Sequence, residues 1–265
     1  MKLAAGQVAV VTGGASGIGL ALCEALSARG LAVVVADISA QSAEQAAAGM
    51  RGAGHDALAL ATDVRDASAV DALAAFTLDR YGRVDLVCNN AGVVPALRPL
   101  WEQDAATWRW LIDVALLGVA HGIRSFVPHL VAQGSGHVLN TASMAGLVPV
   151  PMVGPYGAAK HAVVGLSETL ALELRMAGSP VGVSVLCPAR VESGIEQTSA
   201  THRPADVPSP LADQQAVGSG GGVISAAECA RIALAGIEED RLHILTHPES
   251  AEPVRARVRA LLADL

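Results

Sequence analysis

Apolar positions along this chain alternate between two patterns. Short, near-continuous apolar runs recur at Val8–Val11, Ala32–Ala36, Ala57–Leu60, Val84–Cys88, His137–Asn140, Val181–Leu186 and Leu242–Leu245. A strand covered on both faces has no side to leave polar, so such runs predict buried strands of a parallel sheet. Between them lie longer stretches with apolar residues at helical spacing: Ala21–Arg29, Ser39–Gly52, Asp66–Tyr81, Ala105–Val131, Gly157–Met176 and Ala226–Glu238. Strand and helix in strict alternation predict an α/β fold with one doubly wound parallel sheet, helices on both faces and right-handed crossovers. Residues 1–265 are expected to form one domain of this kind.

One stretch breaks the rhythm. Glu192–Ser225 is rich in Pro, Ser, Thr and Gly and includes Gly218-Ser219-Gly220-Gly221-Gly222. A long irregular segment after the sixth strand is expected to be a loop placed as a lid over a site.

Composition narrows the function classes. Hydrophobic residues make up 52% of the 265 residues, enough for a large core, and only 16% are charged, which favours buried subunit contacts over a lone monomer. The net charge is −7 and no basic block occurs, which argues against a nucleic-acid footprint and against an anionic membrane surface. No apolar run approaches the roughly 18 residues that cross a bilayer, so no membrane is expected as a partner. Cys23, Cys88, Cys187 and Cys229 are scattered without metal or redox spacing, which predicts reduced thiols and a cytoplasmic protein. Eight histidines include no His-Glu-x-x-His pattern, and no metal is expected. His243 and His247 alternate with apolar residues and are expected on one face of a strand, and Arg255–Arg259 reads as the solvated face of a terminal helix.

The strongest chemical signal is a pair. Tyr156 and Lys160 stand four residues apart, so a helix places them on one face. Both types are scarce: the other tyrosine is Tyr81 and the other lysine Lys2. An ammonium beside a phenol stabilises the phenolate and lowers the tyrosine pKa, which yields a general acid/base usable near neutral pH. An arginine in place of Lys160 would stay charged and planar and could not pass a proton.

A second signal follows the first strand. Thr12-Gly13-Gly14-Ala15-Ser16-Gly17-Ile18-Gly19 opens the first helix, where glycines permit a tight turn and the helix N-terminus offers free N–H groups to a pyrophosphate. The second strand ends at Asp37, where a carboxylate can accept from ribose hydroxyls and would repel a 2′-phosphate. Ile38 adds no basic partner, so NAD is expected in preference to NADP.

Taken in order, Thr12–Gly19, Asp63-Val64, Asn89-Asn90-Ala91-Gly92, Ser143, Tyr156 with Lys160, and Cys187-Pro188-Ala189-Arg190-Val191-Glu192-Ser193 resemble the short-chain dehydrogenase/reductase family over nearly the whole chain. The resemblance implies a Rossmann-type sheet of about seven strands and an NAD(H)-dependent oxidoreductase that interconverts a secondary alcohol and a ketone. It implies that Gly13, Ser16, Gly17, Ile18 and Gly19 cradle the cofactor and that Asp63 and Val64 frame the adenine. Asn89, Ala91 and Gly92 would pass the adenosine half, while Pro188, Val191 and Ser193 would position the nicotinamide. Tyr156 would be the acid/base, Ser143 would orient the reacting oxygen, and Lys160 would tune Tyr156 and bind the nicotinamide ribose. The small-molecule substrate would lie near Ala145, Met152, Val153 and Arg190, mostly apolar neighbours, with Arg190 and Glu192 equally able to face solvent or pair together. Family members are commonly homotetramers or homodimers.

Two departures concern the nicotinamide loop: Ala189 replaces the usual Gly, and Ser193 the common Thr. A third is larger. The family pattern hydrophobic-Asp-Val-Asn-Leu-x-Gly reads Ile112-Asp113-Val114-Ala115-Leu116-Leu117-Gly118 here, so Ala115 replaces an asparagine that completes a proton relay from the lysine. Water bridging through backbone groups, an altered form with weak turnover, and drift to cofactor binding or non-redox chemistry all fit this change.

Overall fold

The computed structural model describes residues 1–211 and 222–264. Seven strands form one parallel sheet: β1 (Val8–Thr12), β2 (Ala32–Asp37), β3 (Ala57–Ala61), β4 (Leu86–Asn89), β5 (His137–Thr141), β6 (Gly182–Cys187) and β9 (His243–Leu245). Their order across the sheet is β3-β2-β1-β4-β5-β6-β9. Each predicted apolar run is a strand, displaced by a residue or two at its ends. Period-2 geometry sorts every run onto two faces. Ala9, Val11, Val33, Val35, Leu86 and Cys88 face one core, which α1 (Gly17–Ser27), α2 (Ala40–Gly52) and α8 (Ala226–Glu238) cover with Leu22, Leu26, Ala43, Ala47, Leu234 and Ile237. Val10, Val34, Ala36 and Val87 face the other, covered by α3 (Ala67–Tyr81), α5 (Gly118–Gln133) and α6 (Gly154–Met176) with Val70, Leu73, Phe126, Leu130, Leu170 and Leu174.

The predicted helix Ala105–Val131 is two helices. α4 (Ala105–Ile112) passes into a π-helical turn, Asp113–Leu117, and then into α5. The whole run, Ala105–Gln133, is long and apolar enough to cross a membrane by length and composition, which corrects the expectation that no run approaches that length. Its apolar positions are the core stripe instead: Trp110, Leu111, Ala115, Val119, Phe126 and Leu130 are all buried.

The stretch read as a structureless lid contains regular structure. Gly194, at φ +65, turns the chain into α7 (Ile195–His202), and β7 (Val191–Glu192) pairs in parallel with β8 (Ile224–Ser225). Residues 212–221, with most of the glycine run Gly218–Gly222, lie outside the described residues. The terminal helix read from the arginine run is α9 (Ala251–Ala263), none of whose residues is buried. His243 and His247 do not share a strand face, because β9 ends at Leu245. His243 Nε2 lies 2.9 Å from Glu168, while His247 is buried beyond the strand. All four cysteines are buried and unpaired.

Candidate active site

The strand order reverses between β1 and β4, and a cleft forms there at the carboxyl ends of the strands. Thr12 ends β1 and accepts at Oγ1 from the amides of Asn90 (2.9 Å) and Ala91 (3.2 Å). Asn90 Nδ2 donates back to the Thr12 carbonyl at 3.1 Å. The glycine turn is therefore bolted to the loop after β4. A Cβ on Gly13 would lie 2.9 Å from Ala91 Cα, one on Gly17 2.6 Å from the Ser193 carbonyl, and one on Gly19 2.0 Å from the Gly13 carbonyl. Ser16 precedes α1 in extended conformation and makes no side-chain cap, so the first helical amides face the cleft without one. Ile18 packs its side chain against the core below. Asp37, at the end of β2, accepts from Ala15 N at 3.2 Å and Ser39 N at 3.0 Å, which places its carboxylate beside the turn. This cradle fits a dinucleotide: bare backbone where the pyrophosphate passes and an acid where a ribose would lie.

Three expected cofactor residues sit differently from their expected roles. Asn89 is 2% exposed; its side chain turns inward, donates to Asn140 Oδ1 at 2.9 Å and fills the space that makes a Cβ at Gly122 impossible. Its Oδ1 has no partner among the described residues. Asn89 therefore holds β4, β5 and α5 together, and Asn90 is the asparagine that faces the turn. Asp63 is gripped by Arg65, whose Nε lies 2.9 and 3.0 Å from the two carboxylate oxygens, and this holds the carboxyl below its usual range. An adenine amine would share that carboxylate with Arg65. Gly92 lies toward the catalytic end, since its Cβ would stand 3.6 Å from Lys160 Nζ. Val64 is buried against α5, and its carbonyl accepts from His121 Nδ1 at 2.8 Å. Ala91 is half-buried beside the turn.

The loop after β6 closes the other side of the cradle. The Pro188 carbonyl accepts from Met144 N at 2.8 Å, and Ala189 N donates to Thr246 Oγ1 at 3.2 Å. Thr246 Oγ1 lies 2.8 Å from His247 Nδ1, and His247 Nε2 lies 2.9 Å from the Gly222 carbonyl. A carbonyl can only accept, so Nε2 carries the proton and Nδ1 accepts from the threonine hydroxyl. Val191 and Ser193 follow, held by the β7–β8 pairing and by the contact with Gly17.

Ser143, Tyr156 and Lys160 come together above β5 and α6. Pro155 stands in the first turn of α6 after Met152, which adopts φ +70, and Val153; Tyr156 follows and Lys160 lies one turn on. Ser143 is extended after β5, and its Oγ accepts from Ala145 N at 3.1 Å. The Ser143 hydroxyl is near enough to the Tyr156 phenol to draw its pKa down. Lys160 is 2% exposed, its Nζ donates to the Thr141 carbonyl at 2.8 Å, and it stands 5.7 Å from the Tyr156 ring centroid. Burial pushes the Lys160 pKa down to about 8. The Tyr156 phenol is pushed up, first by burial and then by Cys187 and Glu196, with the Ser143 hydrogen bond opposing. The expected lowering of Tyr156 by Lys160 is thus not what the protein groups produce: burial dominates, and Lys160 is not among the groups that move the phenol.

Around Tyr156 pack Val93, Trp110, Leu111 and Val207, with Ala106 and Val114. Of the expected substrate neighbours, Ala145 is buried under the Ser143 turn and Met152 and Val153 are half-buried at the start of α6. Arg190 and Glu192 are exposed, and no ion pair joins them among the described residues. Ala115 is 0% exposed at the centre of the π-helical turn. Such turns widen the helix and cluster at functional sites.

Sequence reasoning assigned no role to Thr12, Asn90, Thr141, Trp110, Ser199 or Thr246. Thr12 and Asn90 were legible as members of the Thr12–Gly19 and Asn89-Asn90-Ala91-Gly92 motifs. The others act through single hydrogen bonds or contacts between distant segments and leave no local pattern.

Residues 7–204 match the short chain dehydrogenase family model. The cis-4-hydroxycyclohexanecarboxylate dehydrogenase of Sinomonas cyclohexanicum is 37% identical over 80% of this chain and 82% of its own. A short-chain dehydrogenase/reductase from Burkholderia phymatum, solved in complex with NAD, is 39% identical and superposes with a TM-score of 0.92 over 100% of this chain and 97% of its own. A metagenomic short-chain oxidoreductase solved in complex with NADP is 28% identical, with a TM-score of 0.74 over 92% of this chain and 97% of its own. With a family match over residues 7–204 and a relative 37% identical over 80% of this chain, the chain belongs to the short-chain dehydrogenase/reductase family.

Proposed function

We propose that this protein interconverts a secondary alcohol and a ketone with NAD(H), on a small and largely apolar substrate. The observation that carries the reading is the convergence of Ser143, Tyr156 and Lys160 beside the glycine cradle. A bound nicotinamide supplies hydride exchange. Tyr156 donates its proton to the oxygen formed in reduction, or as phenolate takes the hydroxyl proton in oxidation. Ser143 orients the reacting oxygen, and Lys160, fixed by the Thr141 carbonyl, keeps a proton within reach of Tyr156. Val93, Trp110 and Val207 support an apolar skeleton at this position. The four buried, unpaired thiols support a reducing, cytoplasmic compartment. Following NADH absorbance over a panel of ring and chain secondary alcohols and ketones tests the activity; silence across the panel overturns it.

Asp37 supports NAD as the cofactor. A 2′-phosphate beside this carboxylate meets like charge, so NADH should bind at least about tenfold more tightly than NADPH. Fluorescence titration of both nucleotides checks this, and equal or reversed affinities contradict it.

A second reading, a cofactor-binding member with impaired or non-redox chemistry, rests on Ala115. Ala115→Asn inserts a larger, polar side chain into a fully buried turn. If the relay is the missing part, kcat rises while stability falls by about 1–3 kcal/mol from overpacking. An unchanged kcat in an active enzyme shows that the proton leaves by another route. A protein that binds NADH but is inactive both as it stands and as the Ala115→Asn variant favours the second reading.

A further inference from the structure

We infer that this cleft recognises a substrate carrying a carboxylate, held by Arg98 and Arg203. The inference rests on reading the Tyr156 cleft as an alcohol–ketone site and names the second group that its substrate bears. Both guanidinium groups have a buried Nε without a hydrogen-bond partner among the described residues. Among the described residues neither side chain joins an ion pair. There, Arg98 bonds only through its backbone, its N–H to the Met152 carbonyl at 3.0 Å and its carbonyl from Gln103 Nε2 at 3.1 Å. The Arg203 side chain reaches only the carbonyl of its neighbour Pro204, from Nη1 at 3.4 Å.

Each arginine is carried by a segment that walls Tyr156. Arg98 lies in the loop between β4 and α4, whose Val93 packs in the Tyr156 cluster, and its amide bonds Met152, four residues before Tyr156. Arg203 caps α7, and Val207 just beyond it packs in the same cluster. Ser199 joins the two segments: its Oγ accepts from Val94 N at 3.0 Å and its carbonyl accepts from Arg203 N at 3.0 Å. Among the described residues no acid makes an ion pair with either arginine, Glu102 and Asp104 near Arg98 and Glu196 and Asp206 near Arg203 included.

An Nε withdrawn from water without a partner is costly, while the rest of each half-buried fork stays open to an anion that would complete it. The planar fork matches a carboxylate with two parallel N–H bonds, and a permanent charge suits an anion that stays ionised at neutral pH. The apolar wall of Val93, Trp110 and Val207 would take the carbon skeleton between that carboxylate and the carbinol at Tyr156.

The test compares cyclohexanecarboxylate with cyclohexanecarboxamide, which share a ring and differ in charge, by calorimetry on the NAD-loaded protein. The acid should bind at least about tenfold more tightly than the amide, the scale of hydrogen bonds to a charged group. Arg98→Met and Arg203→Met should each shrink that preference to about threefold or less, and Arg98→Lys should keep part of it. The readout is the acid-over-amide ratio. Melting curves separate recognition from scaffolding: an arginine kept for an anion can be lost without lowering the midpoint, because no internal partner is orphaned. Equal binding of acid and amide, a preference that survives both methionine variants, or no binding of either overturns the inference. If the alcohol panel is oxidised while acid and amide bind alike, the carboxylate falls and the alcohol–ketone reading stands. If the preference holds but no alcohol is turned over, the reverse applies.

Discussion

Tyr156→Phe should lower kcat/KM in both directions by about 10³-fold, near the middle of the range for a positioned acid/base, while NADH affinity changes less than about threefold. The substitution removes one oxygen and leaves a ring of the same shape among Val93, Trp110, Leu111 and Val207, so packing is preserved. What disappears is the proton carrier beside the Ser143 hydroxyl. The pH profile adds a second readout. Burial holds Tyr156 as the phenol at neutral pH, which is the form that reduction uses. Oxidation needs the phenolate, so its rate in the unaltered protein should climb as pH rises above neutrality. The phenylalanine variant should lose that limb. A variant that keeps more than about a tenth of the activity would show that another group moves the proton.

Gly19→Ala should abolish measurable NADH binding, and Gly49→Ala should leave it unchanged. A Cβ at position 19 would stand 2.0 Å from the Gly13 carbonyl and 2.7 Å from Asn90 Nδ2. Gly13 belongs to the turn that would receive the pyrophosphate and Asn90 to the loop bolted to it, and the first contact is backbone that no side-chain rotation relieves. Either the turn opens or α1 shifts, and the expected cost is about 1–3 kcal/mol of stability together with loss of the cradle. Gly49 lies within α2, and a methyl group added there would meet nothing within 4 Å, so alanine should stabilise the helix by about 0.5–1 kcal/mol. Nucleotide titration and melting curves on the two variants check the pair; unimpaired NADH binding by Gly19→Ala would contradict this account of the turn.

The sheet was legible because valine-rich runs fit only a strand covered on both sides, and the order of motifs placed the cleft. Tyr156 with Lys160 and the glycine turn stood out because their spacing is local, and Ser143 only through the order of the family's motifs. The rest depends on partners far apart in sequence or on competition that spacing does not encode. Asn89 and Asn90 look equivalent in the chain, yet adjacent residues at a strand end point opposite ways, so one fills the interior below Gly122 and the other faces the turn. Asp63 reads as a free acid until Arg65, two residues on, folds back onto it. A continuous apolar pattern from Ala105 to Val131 conceals the π-helical turn, because one extra residue per turn hardly disturbs the periodicity. The direction of the Tyr156 shift turns on how much water the surrounding side chains exclude, which no motif records.

The Thr246–His247 dipeptide has a consequence for how this protein can change. It pins the Ala189 amide on one side and the Gly222 carbonyl on the other, both from the end of β9. The polypeptide between those two points is thus a span with both ends fixed to one post. Closing a longer or shorter span between fixed ends costs little, since the entropy grows only with the logarithm of length. The anchored ends of that span thus hold the loop after β6, while Ser199 and Val207 tie the span to Val94 and to the Tyr156 cluster. The post fixes the loop after β6 from the far edge of the sheet, independently of the segment that leaves it.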